Sequence, residues 1–219
     1  MLLPGKKLVY FVRHGQSANN AANLRQGASG SLSDKGKAQA RFVGERLQGA
    51  AIELVLASPY ERAKETAGIA NETFKCPIEY SDLLIERKNP SEIVGKDADS
   101  EEVKKIIDVI DRSFHDPNYR YSDEENFTDL KDRAHKLLDF LSHKKQRRIL
   151  CVSHRIFLKM IFSYMEQRDT LQAHEFAVLD FNTKVENTAI TICEYNFWRK
   201  LRGGNPWRIL AVNDYGRIV

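Results

Sequence analysis

The stretch Lys7-Leu8-Val9-Tyr10-Phe11-Val12, running on into Arg13-His14-Gly15, decides how the rest of the chain is read. Its apolar part is rich in β-formers and predicts a short buried strand. The polar, glycine-containing residues 15–32 predict a loop. Ser33 then offers an N-cap for a helix over about 34–48, and Gly49 suits its end. A second strand is predicted over 52–57. It runs into Ser58-Pro59-Tyr60-Glu61, which reads as a capping box with proline at the first helical position, opening a helix that continues through Ala70. Further strands are predicted over 78–80, 149–152, 189–195 and 208–212, with an apolar helix over 156–165. Strands alternating with helices predict an α/β fold: a three-layer α/β/α sandwich on a mainly parallel sheet.

From residue 87 to about 126 the composition turns polar, with Pro90 and Pro117 and one predicted helix over 100–114. Too few apolar residues stand there for a core of its own, so the segment reads as a cap inserted into a single domain spanning 1–219. A long helix follows, with Phe127, Leu130, Ala134, Leu137, Leu138 and Leu141 on one face at helical spacing.

The composition narrows the function classes. With 42% hydrophobic and 29% charged residues in 219, the chain is long and apolar enough to bury a sizeable core. No window approaches the ~18 uninterrupted apolar residues of a spanning helix. At the N-terminus the lysines follow two leucines and no small-residue cleavage site appears, which argues against a secretory signal. Cys76, Cys151 and Cys193 are an odd, widely spaced set; reduced thiols in a cytoplasmic protein are the expectation, with no metal site. Lys and Arg exceed Asp and Glu by 34 to 30, in short scattered clusters, which argues against a nucleic-acid partner. Nothing in the pattern sets an oligomeric state.

Open α/β sheets place their sites beyond the carboxyl ends of the strands. The first strand ends on Arg13-His14, the second leads to Arg62 in the first turn of the next helix, and the strand over 149–152 leads to Ser153-His154-Arg155. Glu86 joins them from a neighbouring loop. Singly, each has a bland reading as a turn histidine, a core histidine, a surface arginine or a solvated acid. Together, at three strand ends, they suit phosphoryl transfer. Arginine forks match phosphate oxygens and stay charged. A neutral imidazole can attack phosphorus to give a covalent phosphoenzyme, a second histidine can stabilise the transition state if it is cationic, and a carboxyl group can serve the leaving oxygen. The arginines supply the positive charge, so no metal or other cofactor is expected. Arg62 is the most telling, because a cation at a helix N-terminus is unfavourable unless an anion sits beside it.

Arg13-His14-Gly15-Gln16-Ser17 with Asn20 resembles the opening signature of the histidine phosphatase superfamily, which includes the cofactor-dependent phosphoglycerate mutases. Leu32-Ser33 with Gly36 and Gln39-Ala40 resembles its next motif. Ser58-Pro59 with Arg62-Ala63 and Thr66-Ala67, then Val152-Ser153-His154, and finally Asn187-Thr188-Ala189-Ile190 resemble its later motifs, in order along most of the chain. The resemblance implies that His14 is the phosphorylated nucleophile, with Arg13, Arg62 and His154 forming the phosphate pocket. It further implies that Glu86 is the proton donor and acceptor, and that Asn20, with Gln26 and Gly27, sits on the rim. Three departures stand out. Arg155 replaces the glycine that commonly follows the second histidine, and reads as pointing away on the polar face of its helix. The loop over 27–32 is a residue short of the common form. Glu86-Arg87-Lys88-Asn89 lacks the mutase-like tyrosine three residues after the acid, which favours phosphatase over mutase.

The resulting expectation is a metal-independent phosphomonoester hydrolase acting on a small phosphorylated substrate or a phosphopeptide, with no membrane partner. Its alternatives are a phosphoglycerate mutase-type phosphotransferase and, from another class, a non-catalytic phospholigand-binding module. The cap is expected to select the substrate. Lys88, His115, Tyr119, Arg120 and Tyr121 are its candidate contacts, each reading more readily as an exposed loop residue.

Overall fold

The computed structural model describes residues 5–18, 23–113, 115–182 and 184–214. The strands are β1 (Lys6–Arg13), β2 (Leu54–Ala57), β3 (Ile78–Tyr80), β4 (Arg148–Ser153), β5 (Ile190–Asn196) and β6 (Trp207–Asp214), and the sheet order is β3-β2-β4-β1-β5-β6. β1 to β4 are mutually parallel; β5 runs antiparallel to β1 and to β6, so the sheet is mainly parallel. The helices are α1 (Asp34–Arg46), α2 (Glu61–Phe74), α3 (Glu101–Ser113), α4 (Phe127–His143), α5 (Arg155–Gln167), α6 (Ala173–Asn182) and the short α7 (Phe197–Leu201).

The alternation of side chains along the central strands builds the three layers. Val9 and Phe11, Leu54 and Leu56, Ile149 and Cys151 face α4 and α5, where Leu130, Leu137, Phe157 and Ile161 cover them. Tyr10 and Val12, Val55 and Ala57, Leu150 and Val152 face α1 and α2, meeting Val43, Ala63, Ala67 and Ala70. A one-residue register slip would exchange these two sets, so burial on both faces fixes the register.

Three local expectations are corrected. Ser33 caps α1 as expected, accepting from the Gly36 amide at 3.1 Å. Gly49, however, lies in a separate 3-10 turn (Gln48–Ala50), and the left-handed residue there is Ala51. Ser58 does not form a capping box: α2 starts at Glu61 with Tyr60 as a cap that lacks a side-chain bond, because the Ser58 hydroxyl faces the His154 ring 2.8 Å away. The segment after Glu86 does have a core of its own, small but closed, in which Ile93, Val103, Ile106 and Ile110 are buried together. Its two ends are clamped: the Glu125 amide donates to the Lys88 carbonyl at 3.2 Å, and the Lys88 amide donates to the Glu125 carboxylate at 3.0 Å.

Among the described residues no helix is long and apolar enough to cross a membrane. Cys151 and Cys193 are buried and Cys76 is half-buried, all three as free thiols.

Candidate active site

β1, β2 and β4 lie side by side, so their carboxyl ends converge. The Gly15 amide donates to the Thr66 hydroxyl of α2, and the His14 amide donates to the Ser153 carbonyl at 2.9 Å. The loop after β1 presses against the start of α1 so closely that a Cβ on Gly36 would lie 2.0 Å from the Gln16 carbonyl oxygen. Only glycine fits there. That contact fixes where His14 stands.

Arg62 organises the two histidines. Its Nε donates to His14 Nε2 at 3.2 Å, its Nη2 lies 3.2 Å from His154 Nδ1, and its Nη1 donates to the Gly27 carbonyl at 2.7 Å. A guanidinium only donates, so each contacted ring nitrogen bears a lone pair. His14 therefore carries its proton on Nδ1 and donates it to the Gly15 carbonyl at 2.7 Å, leaving Nε2 free of hydrogen. His154 carries its proton on Nε2 and donates to the Ser58 hydroxyl at 2.8 Å. The rings sit 5.0 Å apart, with His14 4% and His154 0% exposed. Burial, followed by the charges of Arg62 and Arg13, holds His14 well below its ordinary range. Burial, followed by His14 and then Arg62, does the same for His154. His154 thus stands here as a neutral acceptor; the cationic form would need an anion beside it.

Arg13 donates through Nη1 to the Val185 carbonyl at 2.7 Å, while its Nε is buried without a partner. Burial and then Arg155 pull its pKa down to about 10, which leaves it charged at neutral pH. Glu86 reaches the start of α5, where its Oε1 accepts from the Phe157 amide at 3.1 Å and its Oε2 from the Ile156 amide at 3.3 Å.

A cavity of about 250 Å³ opens onto this cluster, walled by Arg13, His14, Arg62 and Glu86 and, farther out, by Arg25, Arg87, Arg155 and Gln26. That volume lies just under the roughly 300–1,000 Å³ of drug-sized ligand pockets. His154 stands behind Arg62 and is not itself on the wall. Asn20 lies outside the described residues. Arg155 lines the cavity instead of pointing away: as the first residue of α5 it leaves the helix at the end that faces Glu86. Among the described residues, none of Lys88, His115, Tyr119, Arg120 and Tyr121 lines it. Arg120, for example, is turned to Asp129 at 2.7 Å. Among the described residues no group of histidine, cysteine and carboxylate side chains is arranged to hold a metal ion.

One positioning residue escaped the sequence reading. Arg133 on α4 is 9% exposed, pairs with Glu125 at 2.7 Å, donates to the Ile85 carbonyl at 2.7 Å and lies 3.8 Å over the Phe157 ring. It therefore clamps the loop that carries Glu86. Its signal was an arginine on the buried face of an apolar helix, where charge is costly unless paired.

This fold belongs to a known class. The family model of the histidine phosphatase superfamily (branch 1) matches residues 9–201. The chain is 32% identical over 161 residues to a protein of Erwinia tasmaniensis named probable phosphoglycerate mutase GpmB, covering 71% of this chain and 73% of that one. It is 33% identical over 160 residues to the protein of the same name in Salmonella arizonae, with the same coverage. In fold it resembles a putative alpha-ribazole-5'-P phosphatase from Escherichia coli (TM-score 0.77, 19% identity, 97% of this chain and 98% of that one). It also resembles YhfR of Bacillus stearothermophilus (TM-score 0.75, 23% identity, 94% and 96%). The chain belongs to the histidine phosphatase superfamily and is an enzyme of the histidine phosphatase type.

Proposed function

We propose that the chain hydrolyses a small phosphomonoester, or a phosphopeptide, through a phosphohistidine on His14. The observation that carries this is the His14 tautomer at the cavity wall: Nε2 is unprotonated and accepts from Arg62 Nε, while Nδ1 is anchored to the Gly15 carbonyl. His14 Nε2 attacks phosphorus, forming the N–P bond as the ester P–O bond breaks. Arg13 and Arg62 hold the phosphoryl oxygens, and His154, carried on Ser58, steadies Arg62. Glu86 gives a proton to the departing alkoxide, and its carboxylate then takes one from the water that cleaves the N–P bond. Oε2 accepts one amide, from Ile156 at 3.3 Å, whereas Oε1 accepts from both Arg87 and Phe157, so Oε2 is the oxygen better placed to exchange that proton.

The same reading makes the chain one domain with a cap over about 87–126, working in the cytoplasm with reduced thiols and without metal or cofactor. A second reading, transfer of the phosphoryl group to a sugar acid, is favoured by the names of the GpmB relatives. The absence of the tyrosine three residues after Glu86, where Asn89 stands, favours hydrolysis.

A panel of phosphate esters assayed with a chelator, with His14→Ala beside the wild type, tests the proposal. Phosphate release that persists under chelation, needs no bisphosphate primer and vanishes in the variant is the expected result. Activity lost to the chelator, or retained by His14→Ala, overturns it. A requirement for primer selects the mutase reading.

A further inference from the structure

We infer that Arg25, Arg87 and Arg155 form a second oxyanion subsite at the cavity mouth, so that the preferred substrate carries a carboxylate or a second phosphate beyond its phosphoryl group. The inference rests on the phosphomonoester reading for where the first phosphate sits.

Three separate segments bring these arginines to one wall. Arg25 comes from the loop after β1, and its backbone is fixed to the cap from both sides. Its amide donates to the Lys96 carbonyl at 2.9 Å, its carbonyl accepts from the Gly95 amide at 2.8 Å, and Leu24 is bridged to Asp97. Arg87, 8% exposed, opens the cap, and Arg155 opens α5.

The charge balance calls for an anion. Five arginines line the cavity, and Glu86 is the one carboxylate on its wall among the described residues. Arg13 and Arg62 answer the first phosphate. Beyond them, burial first and then the guanidinium charges of Arg87 and Arg155 work against the charge of Arg25, with one acid, Asp111, opposing them. Its Nε is buried with no hydrogen-bond partner. A half-buried guanidinium with its Nε unpartnered, kept among like charges, is matched by a planar or tetrahedral oxyanion, which takes two donors at once. Arg155 stands where the family pattern has glycine, so this part of the wall belongs to this chain's own chemistry.

Three esters on one three-carbon chain test this: 3-hydroxypropyl phosphate, 3-phosphonooxypropanoate and propane-1,3-diyl bisphosphate. Each is measured for kcat/KM and, by calorimetry on His14→Ala, for Kd. The charged members are expected to exceed the hydroxyl member about 100-fold in both, the size of effect that a desolvated charge pair gives. Arg25→Ala and Arg155→Ala are expected to bring the ratio below about tenfold, with thermal midpoints confirming that they fold. Arg155 is exposed, so its variant keeps the test independent of folding. The better of the two charged esters identifies the second group as carboxylate or phosphate. Equal kcat/KM and Kd across the series, with phosphate still released, overturn the subsite and leave the hydrolase reading standing. Tighter binding of the charged esters with no phosphate released from any does the reverse. A ratio unchanged in both folded variants also overturns the subsite.

Discussion

The inner end of the cavity and its mouth are built on different principles. At the inner end, three parallel strands lead into His14, Arg62 and His154, and Arg62 ties both rings together while Gly15, Gly27 and Ser58 hold the remaining contacts. At the mouth, Arg25, Arg87 and Arg155 come from loops and a cap whose core is four buried aliphatic residues. The first region is held by the whole fold; the second is held by a few clamps and a small cluster. The difference matches the division of labour expected in such enzymes, with a rigid chemical end and a variable selecting end.

Breaking the inner end should cost most. Arg62→Ala removes the donor to both imidazoles, and a fall of about 10³ in kcat/KM is expected, the upper part of the range for a lost preorganised donor. Arg62→Lys should recover little, because a single ammonium cannot reach Nε2 of one ring and Nδ1 of the other. A lysine variant near wild-type activity would show that only charge matters there.

Glu86→Gln stands at the border of the two regions. Esters with poor leaving groups are expected to slow by about 10² or more, and p-nitrophenyl phosphate by much less, since its leaving group needs no proton. Equal losses on both would remove Glu86 from the proton-transfer role and leave it as the cap of α5.

Acid should loosen the inner end first. Both histidines are held below their ordinary 6.5 by burial above all. The unfolded chain then binds more protons than the folded one as pH falls below that value, so stability present above it is lost on acidification. The slope reaches up to ~1.4 kcal/mol per pH unit for each histidine. Urea unfolding between pH 7 and 5 measures it, and His14→Asn should remove about half of this contribution. A midpoint that does not move in the wild type contradicts the neutral, buried pair. For the proposed nucleophile the same shift means that His14 stays unprotonated at neutral pH, and kcat/KM should show no loss from its titration as the pH falls to its ordinary 6.5.

The mouth should yield locally. Ile106→Ala in the cap core is expected to lower the opening free energy of 101–113 by about 2–4 kcal/mol. Hydrogen exchange reads this as faster amides in α3, with β1 and β4 unchanged. Uniform loss of protection would mean that the cap and sheet form one cooperative unit.

The contrast also explains what could be read without coordinates. His14, Arg13, Arg62 and His154 were legible because a strand end is marked in sequence by the switch from an apolar run to polar residues, and parallel sheets gather those ends. Glu86 was legible from its place after the apolar run Leu83-Leu84-Ile85, although a loop acid carries no periodic signal of its own. Arg25 and Arg87 were missed because their convergence depends on a loop zipped onto residues 95–98, a contact between segments about seventy residues apart along the chain that no local pattern encodes. The cap core was underestimated for a similar reason. Ile93 lies outside α3, and only the fold brings it against Val103, Ile106 and Ile110. Ser58 was misread because its best partner proved to be a histidine 96 positions away, not its own helix.

The central claim is that His14 Nε2 forms a bond to phosphorus. Rapid quenching of a single turnover into alkali with a radiolabelled phosphate ester, followed by peptide mapping, tests it most directly. The expected result is close to one acid-labile, alkali-stable phosphoryl group on the peptide containing His14, appearing before free phosphate and absent from His14→Ala. Phosphate released at full rate with no label on the protein, or with label on another residue, would contradict it.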